Sequence, residues 1–187
     1  MRIIIFGGDS DIAKAISKKM ATDVDLVTRK DIDITNFGNV SHYIKKAKPE
    51  VIINCAGVIY PATIKDGNVF DFNKEVNVNL IGLYFICKVA AENNVKKVIN
   101  IASSSGLKGR AGWAGYCASK AGAISLIESL REEGIEAYSI ILHRTATKMR
   151  KRLFPNEDQS KLLTPDKVAD NIIDIMSYGD NKTNIEI

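Results

Sequence analysis

The sequence has few of the residues that staple small folds or hold metals. It contains three cysteines, four prolines, one tryptophan and two histidines among its 187 residues. Because the cysteines are odd in number and widely spaced, we expect reduced, buried thiols, as in a cytoplasmic protein, and no metal site. No apolar run approaches the roughly 20 residues that a membrane-spanning helix needs, which predicts a soluble protein.

The charge pattern also excludes a class of partner. The formal net charge is +4, and the basic residues are scattered apart from one late cluster, so no nucleic-acid-binding stripe is indicated. Hydrophobic residues make up 45% and charged residues 26%, which is typical of a globular protein. The length suits a single domain of about 150 residues or slightly more. We therefore expect one domain over residues 1–187, with no separate substrate domain.

Short apolar segments alternate with helical segments along the whole chain. Strands are predicted at residues 2–6, 25–28, 32–34, 51–54, 98–101, 136–142 and 183–187, and helices at 12–20, 37–47, 73–93, 113–132 and 166–177. The strands are apolar throughout, which is typical of a sheet covered on both faces. This order predicts an α/β fold, a doubly wound parallel sheet of the Rossmann type in a single domain.

A glycine pair follows the first predicted strand and opens the first helix. Gly7 and Gly8 tolerate a tight turn, and Ser10, Asp11 and Ile12 begin a helix whose free N–H groups suit a pyrophosphate. Asp11 stands where the dinucleotide pattern expects a later glycine, and its carboxylate repels phosphate, although aspartate also caps helices well. The alternative is an ordinary strand-to-helix turn.

The end of the second predicted strand bears on the choice of cofactor. Dinucleotide folds place an acidic residue about 20 positions after the loop for the ribose of NAD, or an arginine for the 2′-phosphate of NADP. This chain has Arg29 there, followed by Lys30. The sequence therefore favours NADP, with NAD also possible; the alternative is a solvated strand end.

A tyrosine and a lysine four positions apart share one helix face, where the cation favours the phenolate and suits the tyrosine to proton transfer. The chain contains this pair three times, at Tyr84 and Lys88, Tyr116 and Lys120, and Tyr178 and Lys182. Only Tyr116 has a serine 13 positions earlier, Ser103, which directly follows a predicted central strand. The carboxyl ends of such strands bind ligands, so this pair is the candidate for carbonyl chemistry.

These residues together resemble the short-chain dehydrogenase/reductase family. The matching segments are the Gly7 turn, Asp33-Ile34, Asn54-Cys55-Ala56-Gly57, Asn79 three positions before Gly82, and Ser103, Tyr116 and Lys120. They follow the family's order along nearly the whole chain. The resemblance implies a homodimer or homotetramer built through the predicted helices 73–93 and 113–132.

The resemblance also implies a role for each motif residue. Tyr116 would donate a proton to the substrate oxygen, Lys120 would lower the tyrosine pKa and hold the nicotinamide ribose, and Ser103 would hydrogen-bond the carbonyl. Asn79 would organise the proton relay. The remaining cofactor contacts would come from Asp33, Ile34, Asn54, Ala56, Gly57, Thr145 and Thr147.

The segment after the sixth strand departs from the family pattern. Leu142-His143 stands where the family has Pro-Gly, so His143 either points into the site or is a loop histidine without a role. The basic cluster Lys148–Arg152 follows. Its arginines either grip a phosphate or carboxylate or form a solvated helix face. The stretch 144–150 also resembles reductase modules that act on phosphorylated ketoses.

The sequence thus predicts an NAD(P)-dependent oxidoreductase that interconverts a carbonyl and an alcohol on a small, phosphorylated or otherwise anionic metabolite. An epimerase or dehydratase using the same residues is one alternative, although such enzymes usually carry an added domain. A non-catalytic dinucleotide-binding regulatory protein is the other, suggested by Asp11 and the missing Pro-Gly. Substrate recognition is expected from the loop 103–113 and the basic lid after Arg144.

Overall fold

A computed structural model describes residues 1–21 and 23–187 and places all six of its strands in one parallel sheet. The strands are β1 Ile3–Phe6, β2 Val24–Val27, β3 Val51–Asn54, β4 Lys97–Ser103, β5 Glu136–Leu142 and β6 Asn184–Glu186. Their order across the sheet is β2-β1-β3-β4-β5-β6. The order reverses between β1 and β3, and ligands bind at such a switch point. The predicted doubly wound α/β fold is confirmed.

Helices cover both faces of this sheet. They are α1 Asp11–Lys19, α2 Phe37–Ala47, α3 Val69–Val76, α4 Gly82–Glu92, α5 Ala114–Glu132, α6 Lys148–Leu153 and α7 Pro165–Tyr178. Successive side chains of β1 point to opposite faces of the sheet and join two separate hydrophobic cores. Ile3 and Ile5 pack with α1 and α7. Ile4 and Phe6 pack with α2, α4 and α5. Because both faces are buried, the strands need no polar alternation.

The predicted strand at residues 32–34 is wrong. A turn closes at the end of β2, where the Thr28 N–H donates to Asp31 Oδ2 (2.8 Å) and the Asp31 N–H donates to the Thr28 carbonyl (3.1 Å). Parallel neighbours need a crossover of a dozen or more residues, and the few residues here cannot supply one. Ile32 and Ile34 instead pack against the core beneath α2 and α4, so β2 is the edge of the sheet.

The long helix predicted over residues 73–93 is interrupted in the structure. It begins earlier, as α3 at Val69, and a π-helical segment, Asn77–Ile81, joins α3 to α4. The Gly82 N–H donates to the Asn77 carbonyl five residues before it. Such bulges turn a helix face slightly, and this one contains the candidate residue Asn79.

The start of α7 follows its sequence signal. Thr164 accepts a hydrogen bond from the Lys167 N–H (3.3 Å), and Pro165 occupies the first helical position, as expected of an N-cap followed by proline. Cys87 and Cys117 are buried, Cys55 is half-buried, and all three are free thiols. Within the described residues, no helix is both long and apolar enough to cross a membrane, and no group of three metal-binding side chains occurs.

Candidate active site

A cavity of about 1140 Å³ opens at the carboxyl ends of β1, β3, β4 and β5. The predicted site residues that line it are Gly7, Ser10, Asp11, Ile12, Arg29, Asp33, Ile34, Ala56, Gly57, Ser103, Tyr116, Lys120, Thr145 and Thr147. Gly8, Asn54 and Asn79 are absent from this lining and belong to the layer that supports it. The fold thus gathers residues from the whole chain around one cavity.

The glycine turn brings two backbone segments closer than side chains would allow. Gly7 has a positive φ of 75°, and a Cβ there would lie 2.7 Å from the Ala56 Cα. A Cβ on Gly8 would lie 2.9 Å from the Leu26 Cβ. Ser10 then caps α1 by accepting the Ala13 N–H (3.1 Å). The first turn of α1 consequently borders the cavity with the positive end of its dipole.

Asp11 connects this turn to the opposite wall. Its Oδ2 accepts the backbone N–H of Lys148 (2.7 Å), the first residue of α6, and the Lys148 ammonium lies 3.9 Å from Oδ1. The N-terminus of α6 and the Lys148 ammonium therefore offset the negative charge of Asp11, which would otherwise repel a phosphate at this turn. The cap of α1 is Ser10 rather than Asp11.

Two buried asparagines support the cavity floor. Asn54 accepts the Ala56 N–H (3.3 Å) and donates to Asn100 (3.0 Å). Asn79 accepts the Val58 N–H (2.8 Å), donates to the Val58 carbonyl (2.9 Å) and donates to Ser119 Oγ (3.0 Å). The Asn79 side chain therefore braces the loop after β3 against α5. Asn79 is the central residue of the π-helical segment Asn77–Ile81.

Ser103, Tyr116 and Lys120 meet at one end of the cavity. Ser103 is the last residue of β4, and its Oγ accepts the Ser105 N–H (3.2 Å). Lys120 is 5% exposed, donates to the Ile101 carbonyl (2.9 Å), and holds its ammonium 5.8 Å from the centre of the Tyr116 ring. The cation and the phenol therefore share one wall, beside a hydroxyl that can bind a carbonyl oxygen.

Burial governs the titration of this cluster. It raises the pKa of Tyr116, and the neighbouring Ser103 hydroxyl acts in the opposite direction. The expected lowering of this pKa by Lys120 is therefore not what the structure gives, because burial dominates. Burial also lowers the pKa of Lys120 to about 8, opposed by its interaction with Cys55. Charged forms are poorly solvated in this site, so the phenol keeps its proton at neutral pH. Tyr116 is thus equipped to donate a proton.

The other two Tyr-x-x-x-Lys pairs lie outside the cavity. Tyr84 is 47% exposed, and Lys88 forms an ion pair with Glu92 (2.8 Å). Tyr178 is the last residue of α7 and is 88% exposed, and the chain turns at Gly179 with a φ of 71° before Lys182. These positions agree with the choice of Tyr116 by its serine.

Arg29 lies where a 2′-phosphate binder is expected. It is exposed and lines the cavity, whereas the neighbouring Lys30 does not. A hydrogen bond from the Thr35 hydroxyl lowers the pKa of Asp33, and the charge of Arg29 lowers it further. The guanidinium and the Asp33-Ile34 step therefore form the same corner of the cavity.

The basic cluster forms α6 and divides into two parts. Thr147 caps the helix by accepting the Arg150 N–H (3.1 Å). The Arg150 guanidinium makes two bonds to Glu157, of 2.6 and 2.7 Å, and lies 3.9 Å from the centre of the Phe154 ring. Lys151 and Arg152 are exposed and do not line the cavity. The Arg150 guanidinium is thus occupied by contacts within the segment that follows β5.

An aromatic wall beside Tyr116 was not predicted from the sequence. The Trp113 ring packs edge-on against Tyr116 with centroids 5.8 Å apart, and Phe154 lies 6.0 Å from Trp113. The Arg110 guanidinium is 6.0 Å from the Trp113 ring. The available signal was the chain's single tryptophan, three positions before the tyrosine. His143 borders the cavity, but its Nε2 lies 3.0 Å from Glu186 Oε2 on β6.

Comparison with known proteins agrees with this geometry. The short chain dehydrogenase family profile matches residues 1–158, so the chain belongs to the short-chain dehydrogenase family. Human (3R)-3-hydroxyacyl-CoA dehydrogenase is 30% identical over 140 residues, covering 70% of this chain and 49% of that protein. Sorbitol-6-phosphate 2-dehydrogenase of Escherichia coli (strain K12) is 30% identical, covering 67% and 52% respectively. The chain spans about half the length of these relatives.

A solved structure extends the comparison of the fold. A small-chain dehydrogenase in complex with NADPH superposes with a TM-score of 0.87 at 17% identity, covering 100% of this chain and 96% of that one. The similarity at this identity establishes the shared fold. The matched relatives are named dehydrogenases and reductases, which places the chain in a family of oxidoreductases.

Proposed function

We propose that the protein is an NADP-dependent oxidoreductase that interconverts a carbonyl and an alcohol on a small anionic metabolite. The observation that carries this proposal is the meeting of Ser103, Tyr116 and Lys120 at the end of a cavity that begins at the glycine turn. In this proposal residues 1–187 act as one cofactor-binding unit in the cytoplasm, where the three thiols stay reduced.

The residues at the other end of the cavity fit a dinucleotide. A Cβ on Gly7 would overlap the backbone of Cys55 and Ala56, so glycine lets the turn pack against residues 54–57. The backbone N–H groups at the start of α1 would bind the phosphate oxygens. Arg29 supplies a cation for a 2′-phosphate. Lys120 and Thr147 would hold the nicotinamide end. When bound, NADPH supplies the hydride for carbonyl reduction.

The chain's own residues would handle the proton. Ser103 Oγ would hydrogen-bond the substrate oxygen and orient it toward Tyr116. The Tyr116 phenol would donate its proton to that oxygen in reduction and accept it in oxidation. The Lys120 ammonium would stabilise the phenolate that remains. Asn79 would act through structure, because its side chain is engaged with Val58 and Ser119.

The charges around the substrate end support an anionic substrate. Besides Arg29 and Lys120, the lining cations are Lys74, Arg110, Arg144, Lys148 and Arg150. Lys148 lies beside Asp11, and Arg144 and Arg150 pair with Glu157, which leaves Lys74 and Arg110 available to a substrate anion. Arg110 forms no ion pair with any residue in the described part of the chain. The similarity to sorbitol-6-phosphate 2-dehydrogenase supports phosphorylated ketoses as the first panel to test.

The decisive experiment replaces the proposed acid. Tyr116→Phe is expected to lower kcat/KM by about 10²- to 10⁴-fold, because the substrate oxygen loses its proton donor. NADPH binding, measured by fluorescence titration, is expected to persist. Tyr178→Phe is the matched control, since Tyr178 belongs to an exposed copy of the same motif, and its kinetics should match the wild type.

The same measurements distinguish an oxidoreductase from a non-catalytic regulatory protein. NADPH binding by the wild type without turnover of any carbonyl in a broad panel would favour a dinucleotide-binding regulatory protein. A Tyr116→Phe enzyme within about tenfold of the wild-type kcat/KM would show that another group moves the proton.

We also propose that the protein forms a homodimer or homotetramer. The outer faces of α3, α4 and α5 support this, with Phe72 46% and Tyr84 47% exposed beside the small exposed residues Ala118 and Ala121. Ala121→Arg is expected to dissociate the assembly in sedimentation experiments, whereas Ser177→Arg on the exposed face of α7 should not. A wild-type monomer at micromolar concentration would contradict the proposal.

A further inference from the structure

A buried acid that the proposed chemistry does not use lies against Gly115, the residue that precedes the candidate proton donor. Glu75 is 3% exposed, sits on α3 one helical turn before Asn79, and forms no salt bridge with any residue that the structure describes. Burying a carboxylate without a cation is costly, so such a group is retained only where its contacts matter. Glu75 contacts the loop after β3 and the start of α5, the helix that contains Tyr116.

One carboxylate oxygen of Glu75 holds the loop that follows β3. Oε1 accepts the Tyr60 N–H at 2.7 Å. Two residues later, the Ala62 N–H donates to the Gly112 carbonyl (2.8 Å), and Ala62 forms an isolated parallel bridge with Trp113. Glu75 therefore fixes a loop that is itself attached to the segment leading into α5.

The other oxygen occupies the space beside the residue that precedes Tyr116. A Cβ on Gly115 would overlap Glu75 Oε2, so glycine at this position leaves the room that the carboxylate fills. The first turn of α5 has no side-chain cap of its own, because its N-cap residue is Trp113. A carboxylate at a helix N-terminus is favourable, which explains how the buried group is tolerated there.

We propose that Glu75 is a positioning residue: its buried carboxylate fixes the loop 58–62 against the start of α5 and holds a negative charge beside Gly115, the residue that precedes Tyr116. This inference rests on the proposed function, in which Tyr116 moves the proton. It differs from that function because it concerns the pH range of the enzyme and not the identity of the acid.

The charges around the two groups define the expected sign. Burial raises the pKa of Glu75, the Tyr60 N–H opposes this, and Asp71 on the same helix raises the pKa further. For Tyr116, the raising influences after burial are Cys117 and Glu75, and the Ser103 hydroxyl opposes them. The nearby cations are Lys120, 5.8 Å from the Tyr116 ring, and Lys74, 5.0 Å from the Tyr60 ring. Removing the Glu75 charge should therefore lower the Tyr116 pKa.

The test replaces the carboxylate by an amide of the same shape. Glu75→Gln keeps an acceptor for the Tyr60 N–H and removes the charge. We expect the Tyr116 pKa to fall, because a negative charge that disfavours the phenolate is removed. Carbonyl reduction needs the neutral phenol, so its high-pH limb should move to lower pH by the same amount. Asp71→Asn, which removes a charge one helical turn before Glu75 on α3, should leave the Tyr116 pKa unchanged.

A second readout does not depend on activity. The ultraviolet absorbance of the Tyr116 phenolate is titrated in each background and isolated by subtracting the same protein carrying Tyr116→Phe. Glu75→Val removes both charge and acceptor, so it should lower the Tyr116 pKa similarly and also raise the KM by releasing the loop. Glu75→Gln should leave the KM near that of the wild type.

The outcomes separate the inference from the proposed function. If Tyr116→Phe abolishes turnover but the Tyr116 titration is the same in the wild type and in the Glu75→Gln protein, the proposed function stands and this inference is overturned. A Glu75→Val protein with an unchanged KM would overturn the loop-fixing role. If Tyr116→Phe retains turnover while the Tyr116 titration still shifts with Glu75→Gln, the electrostatic coupling stands and the proposed function fails.

Discussion

The two walls of the cavity are held together by different means. The cofactor wall, formed by the glycine turn and residues 54–57, depends on backbone contact, because Gly7 and Ala56 approach too closely for any side chain at position 7. The lid, residues 144–163, depends largely on side chains. Its ends are joined by the Ala146 N–H to the Leu163 carbonyl (2.8 Å), and its interior is fixed by Arg150, Glu157 and Phe154.

This difference indicates how each wall responds to change. Backbone contact admits almost no alternative residue, so the cofactor wall is expected to fail abruptly when it is altered. Ion pairs and aromatic contacts can be replaced by others of similar size, so the lid is expected to change its preference for substrate gradually. The three substitutions below test this contrast.

The largest effect is expected at Gly7. In Gly7→Ala, the new Cβ would be strained by the positive φ and would also clash with the Ala56 backbone. The substitution should therefore lower the free energy of unfolding by about 2–5 kcal/mol and abolish NADPH binding. Urea unfolding measures the first quantity. Gly134→Ala is the control for backbone strain alone, because Gly134 has a φ of 91° and open space around it. Gly109→Ala is the control without strain or clash, because Gly109 has neither a positive φ nor a close neighbour. Similar losses at all three glycines would contradict the proposed role of close backbone contact.

A smaller effect is expected at Arg29 and should be confined to the cofactor. Arg29→Ala should raise the Kd for NADPH by about 10- to 100-fold, equivalent to about 1.4–2.8 kcal/mol, because a charge-assisted contact to the 2′-phosphate is lost. The Kd for NADH should change little. Lys30→Ala is the control from outside the cavity. A wild-type preference for NADH would remove the basis for assigning NADP.

The smallest effect is expected in the lid. Glu157→Gln weakens the two bonds that hold Arg150 and should raise the substrate KM by roughly threefold to tenfold, with NADPH affinity unchanged. The hydrogen bond from Arg150 lowers the pKa of Glu157, so the difference should exist at neutral pH and vanish as the pH falls through that lowered pKa. Lys151→Gln, outside the cavity, should not alter the KM. An equal loss of NADPH affinity would show that the walls are not separable.

The sequence predicted the cofactor wall better than the lid for the same physical reason. The positive φ of Gly7 and the cap that Ser10 provides to α1 are local backbone features, which short motifs report. The strand predicted at 32–34 was wrong because apolar residues alone do not reveal whether a crossover is long enough. Arg150 and Glu157 are only seven residues apart, but no helical or strand spacing joins them, and Glu75 pairs with Tyr60 fifteen residues earlier, so a single sequence carries no motif for either contact.

The π-helical segment before α4 could likewise not be predicted from the sequence, because its residues are ordinary in an α-helix. The family and the Tyr116 cluster were nevertheless predictable, since several motifs occurred in a consistent order. Most predicted site residues line one cavity, and the others belong to its supporting layer. Their roles in catalysis and cofactor binding stay predictions for the experiments above.

The bond between Asp11 and the Lys148 N–H joins the two walls directly. One carboxylate belongs to the glycine turn and also holds the first residue of α6. In the proposed function, any effect that a bound dinucleotide has on substrate affinity through this bond would be matched by an equal effect of the substrate on dinucleotide affinity.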